Sequence, residues 1–109
     1  MTLQVKNNST ANKFKVLNKY FRNKNKILVF IGNRCQNGYS STVNDIVDEF
    51  KIVIRYAYRL LEELEFEGSI IKGTKMIKNE VYYTNYIITE SAISELKEIS
   101  RLINEILWK

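Results

Sequence analysis

The sequence contains no histidine and only one cysteine, Cys35. A histidine general base and a zinc site built from cysteine and histidine are therefore excluded. No glycine-rich phosphate-binding motif is present either. Cys35 itself stands in an apolar stripe, so we expect it in the core rather than at a reactive site. The residues thus favour a protein that is not an enzyme and that has no catalytic residues, no metal site and no cofactor.

Long apolar segments are also missing. No apolar run approaches the ~20 residues that a membrane-spanning helix needs, and the first residues form no apolar signal segment. A single cysteine cannot form an internal disulfide. We therefore expect a cytoplasmic protein with no membrane partner. At 109 residues, the chain has room for one domain with one core, predicted at residues 11–109.

Acidic residues are absent from the first part of the chain. Residues 1–44 contain eight basic residues and no acidic one, whereas the remainder contains nine basic and twelve acidic residues. A basic half suits a polyanionic partner such as a nucleic acid. For Lys6 to Lys19 alone, a solvated basic tail without function is an equal alternative. Residues 1–10 have no apolar period and are expected to be a disordered or frayed arm.

Two apolar helical stripes follow each other between residues 42 and 68, separated by a short turn at Lys51 and Ile52. The first helix is predicted to begin at Ser41 or Thr42, with Asp45 placed for a capping box. Its apolar residues share one face: Ile46, Val47 and Phe50. The second stripe has the spacing of one buried helical face, ends at the C-cap candidate Gly68 and consists of Ala57, Leu60, Leu61 and Leu64. This arrangement predicts a helix-turn-helix.

The second of these helices has an outer face suited to a DNA major groove. If Ala57 faces the first helix, the outer and N-terminal part carries the candidate DNA-binding residues Ile54, Arg55, Tyr56, Tyr58 and Arg59. Arginine can bind guanine edges or phosphates, and tyrosine can donate to phosphate oxygens. Two alternatives remain open here. Arg59 could pair with Glu62 or Glu63, and one of the two tyrosines could be a half-buried packing residue.

Two helices are predicted before this motif. The first is amphipathic, runs from Ala11 to Arg22 and has the apolar residues Phe14, Leu17 and Phe21. The second is the central core helix, which passes through Ile27 and takes Asn23 or Asn25 as its cap. Residues 39–41 could form a short extended strand between this helix and the motif.

A two-stranded hairpin is predicted after Gly68, where the sequence becomes rich in isoleucine, threonine and tyrosine. Its strands are Ser69 to Met76 and Val81 to Thr89, joined by a polar connector at residues 78–80. As a wing, residues 69–89 would bring three lysines near the DNA backbone or minor groove: Lys72, Lys75 and Lys78. Lysine at a strand edge can instead serve only to prevent aggregation.

The last predicted helix spans residues 90–107 and has Thr89 as its cap. Its apolar face is wider than a coiled-coil seam, so another helix must cover it. The cover is the amphipathic helix of the same chain or that of a second chain. Because one short helix cannot cover both flanks, we predict a twofold homodimer. The predicted interface residues are Phe14, Leu17, Phe21, Leu96, Ile99, Ile103 and Ile106.

This order of elements resembles the winged helix-turn-helix transcription regulators of the MarR and PadR type, over roughly Lys24 to Leu96. The residues that carry the resemblance are Ile46, Val47, Phe50, Ile52, Ala57, Arg59, Leu60, the segment 64–70 and the segment 86–92. The chain departs from the pattern at Lys51 and Ala92, where many relatives have glycine, and at its apolar residues 52–54. The resemblance implies an α+β, mostly helical fold, a winged helix-turn-helix with extra N-terminal and C-terminal helices.

The patterns and the resemblance together predict a sequence-specific, double-stranded DNA-binding transcription regulator that acts as a homodimer. Each copy would place its recognition helix in a major groove and its wing on the flanking backbone. Two alternatives from other classes remain open: a protein-interaction adaptor built on a winged helix, and a general chromatin-like DNA-binding protein. The sequence does not identify the operator or show whether a small-molecule effector exists.

Overall fold

The computed structural model describes residues 15, 18–19, 21–77 and 81–108, apart from the side chains of residues 75–77, 81 and 82. Within these residues the named elements are four helices and one two-stranded antiparallel sheet. In chain order they are α1 (Asn23–Gln36), α2 (Val43–Phe50), α3 (Ile54–Phe66), β1 (Ile70–Ile77), β2 (Val81–Ile88) and α4 (Glu90–Leu107). The fold is α+β and mostly helical, as expected. None of the described helices is long and apolar enough to cross a membrane.

The segment before α1 is described only in part. Lys15, Asn18 and Lys19 are helical, whereas Phe14, Leu17 and the expected arm at residues 1–10 lie outside the described residues. Lys19 Nζ lies 3.7 Å from Glu95 Oε2, so this segment lies against the first half of α4.

The N-cap of α1 is Arg22, so the predicted caps Asn23 and Asn25 are both wrong. Asn25 is inside the helix and only 2% exposed. Its side-chain amide donates to the carbonyl oxygen of Lys19 instead of capping the helix. A buried amide needs such a partner, which explains why asparagine occurs here within the helix.

One core cluster joins all six elements. Its buried residues are Ile27, Leu28, Ile31, Val43, Ile46, Ala57, Leu60, Leu61, Leu64, Ile70, Tyr86, Ile88 and Ala92. α1 contributes three of the most deeply buried side chains, which confirms it as the central core helix. Cys35 is only partly buried and packs against the edge of this cluster, so its expected place inside the core is wrong.

The ends of α2 combine a predicted cap with a strained residue. Thr42 Oγ1 accepts a hydrogen bond from the Asp45 N–H, and Asp45 Oδ2 accepts one from the Thr42 N–H, which confirms the capping box. At the other end, Lys51 adopts the left-handed conformation, with φ 54° and ψ 45°. Ile52 then packs half-buried against the core, at the corner between α2 and α3.

α3 ends one residue before the predicted position, since its C-cap is Glu67 rather than Gly68, and Gly68 forms the turn that follows. Gly68 has a φ of 80°, which a residue with a β-carbon rarely adopts. The Ser69 N–H then donates to the Leu64 carbonyl oxygen at 2.9 Å and closes the turn into β1.

β1 and β2 form the predicted hairpin, with strand ends within one residue of the expected ones. Ile70 pairs with Ile88, and the register continues to Ile77 opposite Val81. The predicted extended segment contributes one residue, Ser41, which forms an isolated bridge with Tyr86.

The two faces of the hairpin differ in exposure. Ile70, Tyr86 and Ile88 share one face and are buried in the core, whereas Ile71 and Ile87 lie on the other face and are exposed. Asn85 is on this second face and is nevertheless buried. Its Nδ2 donates to Ser40 Oγ at 3.1 Å, so it ties the hairpin to the loop before α2.

α4 begins at the predicted cap, since Thr89 Oγ1 accepts a hydrogen bond from the Ala92 N–H at 3.3 Å. The Thr89 hydroxyl also lies 2.8 Å from the Gly68 carbonyl oxygen. The start of α4 is thereby fixed to the turn at the end of α3.

Replacing Lys51 by glycine should raise the free energy of unfolding by about 0.5–1 kcal/mol, because glycine adopts a positive φ without the steric cost of a β-carbon. Thermal denaturation would measure the change. Lys51→Ala is the matched control, since it removes the lysine side chain and keeps the β-carbon, and it should remain close to wild type. A glycine variant no more stable than the alanine variant would show that the position is not strained.

Candidate nucleic-acid interface

The side of α3 that faces away from the core presents several of the predicted DNA-binding residues. Burial of Ala57 and of the leucines one turn on fixes which side this is. Ile54 and Arg55 are exposed, and Tyr58 is 44% exposed. Tyr56 is half-buried and packs against the core, so the packing alternative holds for this tyrosine.

The two arginines of α3 are in different environments. Arg59 lies over the ring of Tyr56, with 5.0 Å between Cζ and the ring centroid, and its Nε is 3.8 Å from Glu63 Oε2. Arg55 is exposed and has no ion pair or hydrogen bond with any described residue. Arg55 is therefore the arginine of this helix whose donors are available to a ligand.

Two acidic residues in the C-terminal half of α3, Glu63 and Glu65, are paired with basic residues of neighbouring elements. Lys24 Nζ, at the start of α1, lies 3.6 Å from Glu63 Oε1 and also forms an ion pair with Glu67. Lys72 Nζ, in β1, lies 3.5 Å from Glu65 Oε1. The sequence suggested that this face was only solvated. The ion pairs show that it also contacts neighbouring elements. They also leave the N-terminal half of α3 as its basic end.

The three predicted lysines of the hairpin do not share one position. Lys72 is exposed but lies beside Glu65, near the acidic end of α3. Lys75 is paired across the hairpin with Tyr83, on the opposite face of the sheet from Lys72. Lys78 lies outside the described residues.

A cleft of about 350 Å³ opens between the start of α2, the start of α3 and β2. We call it the tyrosine cleft; its walls include Asn44, Ile54, Tyr58, Tyr83, Thr84 and Tyr86. Ile54 and Tyr58 were predicted as DNA-binding residues from the sequence, whereas the polar side chains from α2 and β2 were not. The register of the hairpin and its bridge to Ser41 place these residues at the cleft. Both pair residues that are far apart in the sequence, so no local pattern encodes them.

Tyr86 is the most deeply buried of the three tyrosines in this cleft, at 4% exposure. Burial raises the pKa of its phenol above the ordinary value, and the nearby Tyr58 hydroxyl and the carboxylates of Glu65 and Glu62 raise it further. The Tyr86 hydroxyl therefore stays protonated at neutral pH and can act as a neutral donor.

Arg34, one of the basic residues of the N-terminal half, serves the fold rather than a ligand. Its Nε donates to Ser41 Oγ at 3.1 Å, and its Nη2 donates to the Ser40 carbonyl oxygen at 3.0 Å. Nη2 also lies 3.5 Å from Asp45 Oδ2, and the guanidinium lies over the ring of Tyr39. Arg34 thus holds the loop that leads into α2 and into the tyrosine cleft.

A second, apolar groove of about 290 Å³ lies between α1 and α4. We call it the apolar groove; its walls include Val29, Gly32, Ile88, Ile93, Leu96 and Lys97. A β-carbon added at Gly32 would lie 2.9 Å from Ile88 Cδ1, so this glycine allows α1 to approach the end of β2. Val29 remains exposed beside it.

The predicted dimer-interface residues differ in their availability. Ile99 is already 6% exposed within one copy, while Leu96, Ile103 and Ile106 are half-buried. Phe21 is exposed, as are Leu107 and Trp108 at the end of α4. The accessible apolar surface thus lies along the apolar groove and at the end of α4 rather than at Ile99.

In the part of the chain that the structure describes, no group of three or more histidine, cysteine, aspartate or glutamate residues is placed to hold a metal ion. No family model, curated protein or solved structure matches this chain. The exposed half of α3 and the adjoining tyrosine cleft therefore form the candidate interface on their geometry and chemistry.

Replacing Arg34 by alanine should lower the free energy of unfolding by about 1–3 kcal/mol, because the Ser40 carbonyl and the Ser41 hydroxyl both lose a donor. Urea denaturation would measure this loss. Lys26→Ala is the control, since Lys26 is an exposed basic residue of the same helix, and it should leave stability unchanged. Equal stability of the two variants would mean that Arg34 does not hold the loop.

Proposed function

We propose that α2, the turn at residues 51–53 and α3 form a helix-turn-helix, that β1 and β2 form its wing, and that the protein is a sequence-specific, double-stranded DNA-binding transcription regulator. The observation that carries this function is the free, exposed Arg55 on the outer face of α3. An unpaired arginine on an exposed helix face has the donor geometry that reads guanine in a major groove.

The charge distribution along α3 supports an N-terminal approach to DNA. α3 has 13 residues, so it is about 20 Å long and its two ends can meet different environments. Its acidic residues lie toward the C-terminal end, where Lys24 and Lys72 pair with them. The N-terminal half carries Arg55 and Tyr58 and is the end that a phosphate backbone would tolerate.

The hairpin lies on the side of α3 where a wing would contact flanking backbone. Tyr83 and Thr84 of β2 share the tyrosine cleft with Ile54 and Tyr58 of α3. A helix seated in the major groove would therefore bring the hairpin close to the adjoining phosphates. Lys75 belongs to this wing and would bind backbone rather than bases.

We further propose that the regulator acts as a twofold homodimer. The apolar groove between α1 and α4, together with exposed Val29, Leu107 and Trp108, provides apolar surface that a second copy would cover. A twofold axis there would place the two α3 helices about one DNA turn apart, roughly 34 Å, on an inverted-repeat site. Because Ile99 is buried within one copy, the proposed interface lies at the apolar groove rather than at Ile99.

One observation favours a second candidate function, a protein-interaction adaptor. Val53 is 70% exposed at the start of α3, next to exposed Ile54. Exposed apolar residues at this place suit a protein partner better than a base edge. A steep dependence of binding on salt would identify DNA as the partner, because DNA binding releases counterions and contact between apolar protein surfaces does not.

Arg55→Ala should weaken binding to DNA selected from a random pool by about 1–3 kcal/mol and should flatten the preference at one base position. Lys75→Ala should instead weaken binding evenly on selected and random DNA, since a backbone contact carries no sequence information. Fluorescence anisotropy with both kinds of DNA would measure the two effects.

Arg59→Ala is the matched control for Arg55, because Arg59 is already engaged by Glu63 and Tyr56. Its effect on binding should be smaller than that of Arg55→Ala. Direct readout by α3 would be wrong if Arg55→Ala lost affinity equally on selected and random DNA.

The homodimer can be tested at exposed positions that a single copy does not need for its core. Wild-type protein at micromolar concentration should sediment as a dimer, and Val29→Glu combined with Leu107→Glu should give a folded monomer with much weaker DNA binding. Phe66→Glu is the control, since Phe66 is exposed at the far end of α3 and should leave the dimer intact. A wild-type monomer under these conditions would exclude the dimer and the inverted-repeat site.

A further inference from the structure

The tyrosine cleft is rich in neutral hydrogen-bond donors and poor in charge. Asn44, Tyr58, Tyr83 and Thr84 line it, and each has a side-chain amide or hydroxyl. Among the described residues that line it, none is a lysine or an arginine. A ligand in this cleft would therefore be bound by uncharged groups.

Tyr86 adds a hydroxyl donor that no described residue uses. The residue is almost fully enclosed, and its backbone N–H and carbonyl oxygen both bond to Ser41. Its side-chain hydroxyl makes no hydrogen bond with another described residue. The hydroxyl is not one of the buried side-chain atoms that lack a partner among the described residues, so it is accessible from the cleft and can donate there.

The start of α2 adds backbone donors to the same cleft. Thr42, Val43 and Asn44 all line it. The Thr42 side chain accepts from the Asp45 N–H, which leaves the N–H groups of Val43 and Asn44 without an acceptor inside the helix. The first turn of a helix favours an anionic acceptor.

We propose that the tyrosine cleft binds one phosphodiester group of the DNA backbone through neutral hydrogen-bond donors. This binding rests on the proposed DNA-binding function. It adds Asn44, Tyr83 and Thr84 to the residues that contact DNA. With Tyr58, these groups clamp one phosphate between α2, α3 and the hairpin. The clamp fixes how α3 is seated in the major groove, so these are positioning contacts and Arg55 reads the base.

The acidic residues of α3 determine where in the cleft the phosphate lies. After burial and the neighbouring Tyr58, the charges of Glu65 and Glu62 raise the pKa of Tyr86, so that end of the cleft lies nearest these carboxylates. Thr84 and Tyr83 stand two and three residues away from Tyr86 along β2, or roughly 7–10 Å. The phosphate is therefore held at the end formed by Thr84, Tyr83 and the start of α2, and Tyr86 completes the wall.

Contacts made by neutral donors can be recognised from the salt dependence of binding. Each cationic contact to a phosphate contributes about 0.9 to the slope of log affinity against log salt, whereas a neutral hydrogen bond contributes none. Tyr58→Phe and Thr84→Val remove one hydroxyl each and preserve shape. Each should weaken binding of the full chain to the selected DNA by about three- to tenfold at every salt concentration, with an unchanged slope.

Two further variants calibrate this measurement. Tyr39→Phe removes the hydroxyl of an exposed tyrosine outside the cleft and should bind as wild type does. Arg55→Ala should lower the slope as well as the affinity, because a cation is lost. Circular dichroism would verify that every variant keeps the helical content of wild type.

A chemically modified DNA identifies the phosphate itself. In a series of duplexes, each with one neutral methylphosphonate, wild-type binding should fall at one backbone position per half-site beyond the effect of the lost charge. The Tyr58→Phe/Thr84→Val double variant should lose this extra sensitivity at that position and keep it elsewhere.

The possible outcomes distinguish a failure of the phosphate clamp from a failure of the proposed DNA-binding function. Failure of wild-type protein to bind any DNA would overturn both the proposed function and the phosphate clamp. Normal wild-type binding with cleft variants that behave as Tyr39→Phe does would overturn the clamp alone. A reduced salt slope in the cleft variants would show that the contact is not neutral, and would overturn it as well.

Discussion

The close packing of α3 against α2 and the core at Ala57 is the constraint on which the rest of the structure depends. Ala57 has no exposed surface, and Leu61 and Leu64 continue its buried face one and two turns on. Interiors are packed too densely to admit a larger side chain without displacement. Because this face is fixed, Arg55 and Tyr58 must lie on the outside, beside the hairpin.

Charge is arranged around that buried face in a consistent way. The acidic half of α3 is held by Lys24 from α1 and Lys72 from β1. Surface ion pairs of this kind each contribute little to stability, typically ~0–1 kcal/mol, but they determine which basic groups stay free. Arg34 is likewise occupied, since it holds the loop before α2. The excess of basic residues in the N-terminal part of the sequence therefore overstates the basic surface that is available to a polyanion.

Local features of the fold could be predicted from the sequence, and long-range ones could not. The capping box at Thr42 and the cap at Thr89 each depend on residues within a few positions of one another, and both are confirmed, while the C-cap predicted at Gly68 lies one residue earlier, at Glu67. The cap at Asn25 was wrong because the helix begins two residues earlier, after Arg22, and Asn25 Nδ2 donates to the Lys19 carbonyl oxygen from inside the helix. The tyrosine cleft depends on pairing between Ser41 and Tyr86, far apart in sequence, so its polar residues carried no local signal.

In the proposed function, the N-terminal half of α3 and the tyrosine cleft form a DNA-binding surface. The most direct measurement is the change in backbone amide NMR signals when the full chain is titrated with a duplex selected from random DNA. The largest changes should fall at residues 42–44, 54–58 and 83–84, and residues 63–67 at the acidic end of α3 should change little. Signals that stay unchanged throughout, or change only along the apolar groove between α1 and α4, would contradict the proposed function.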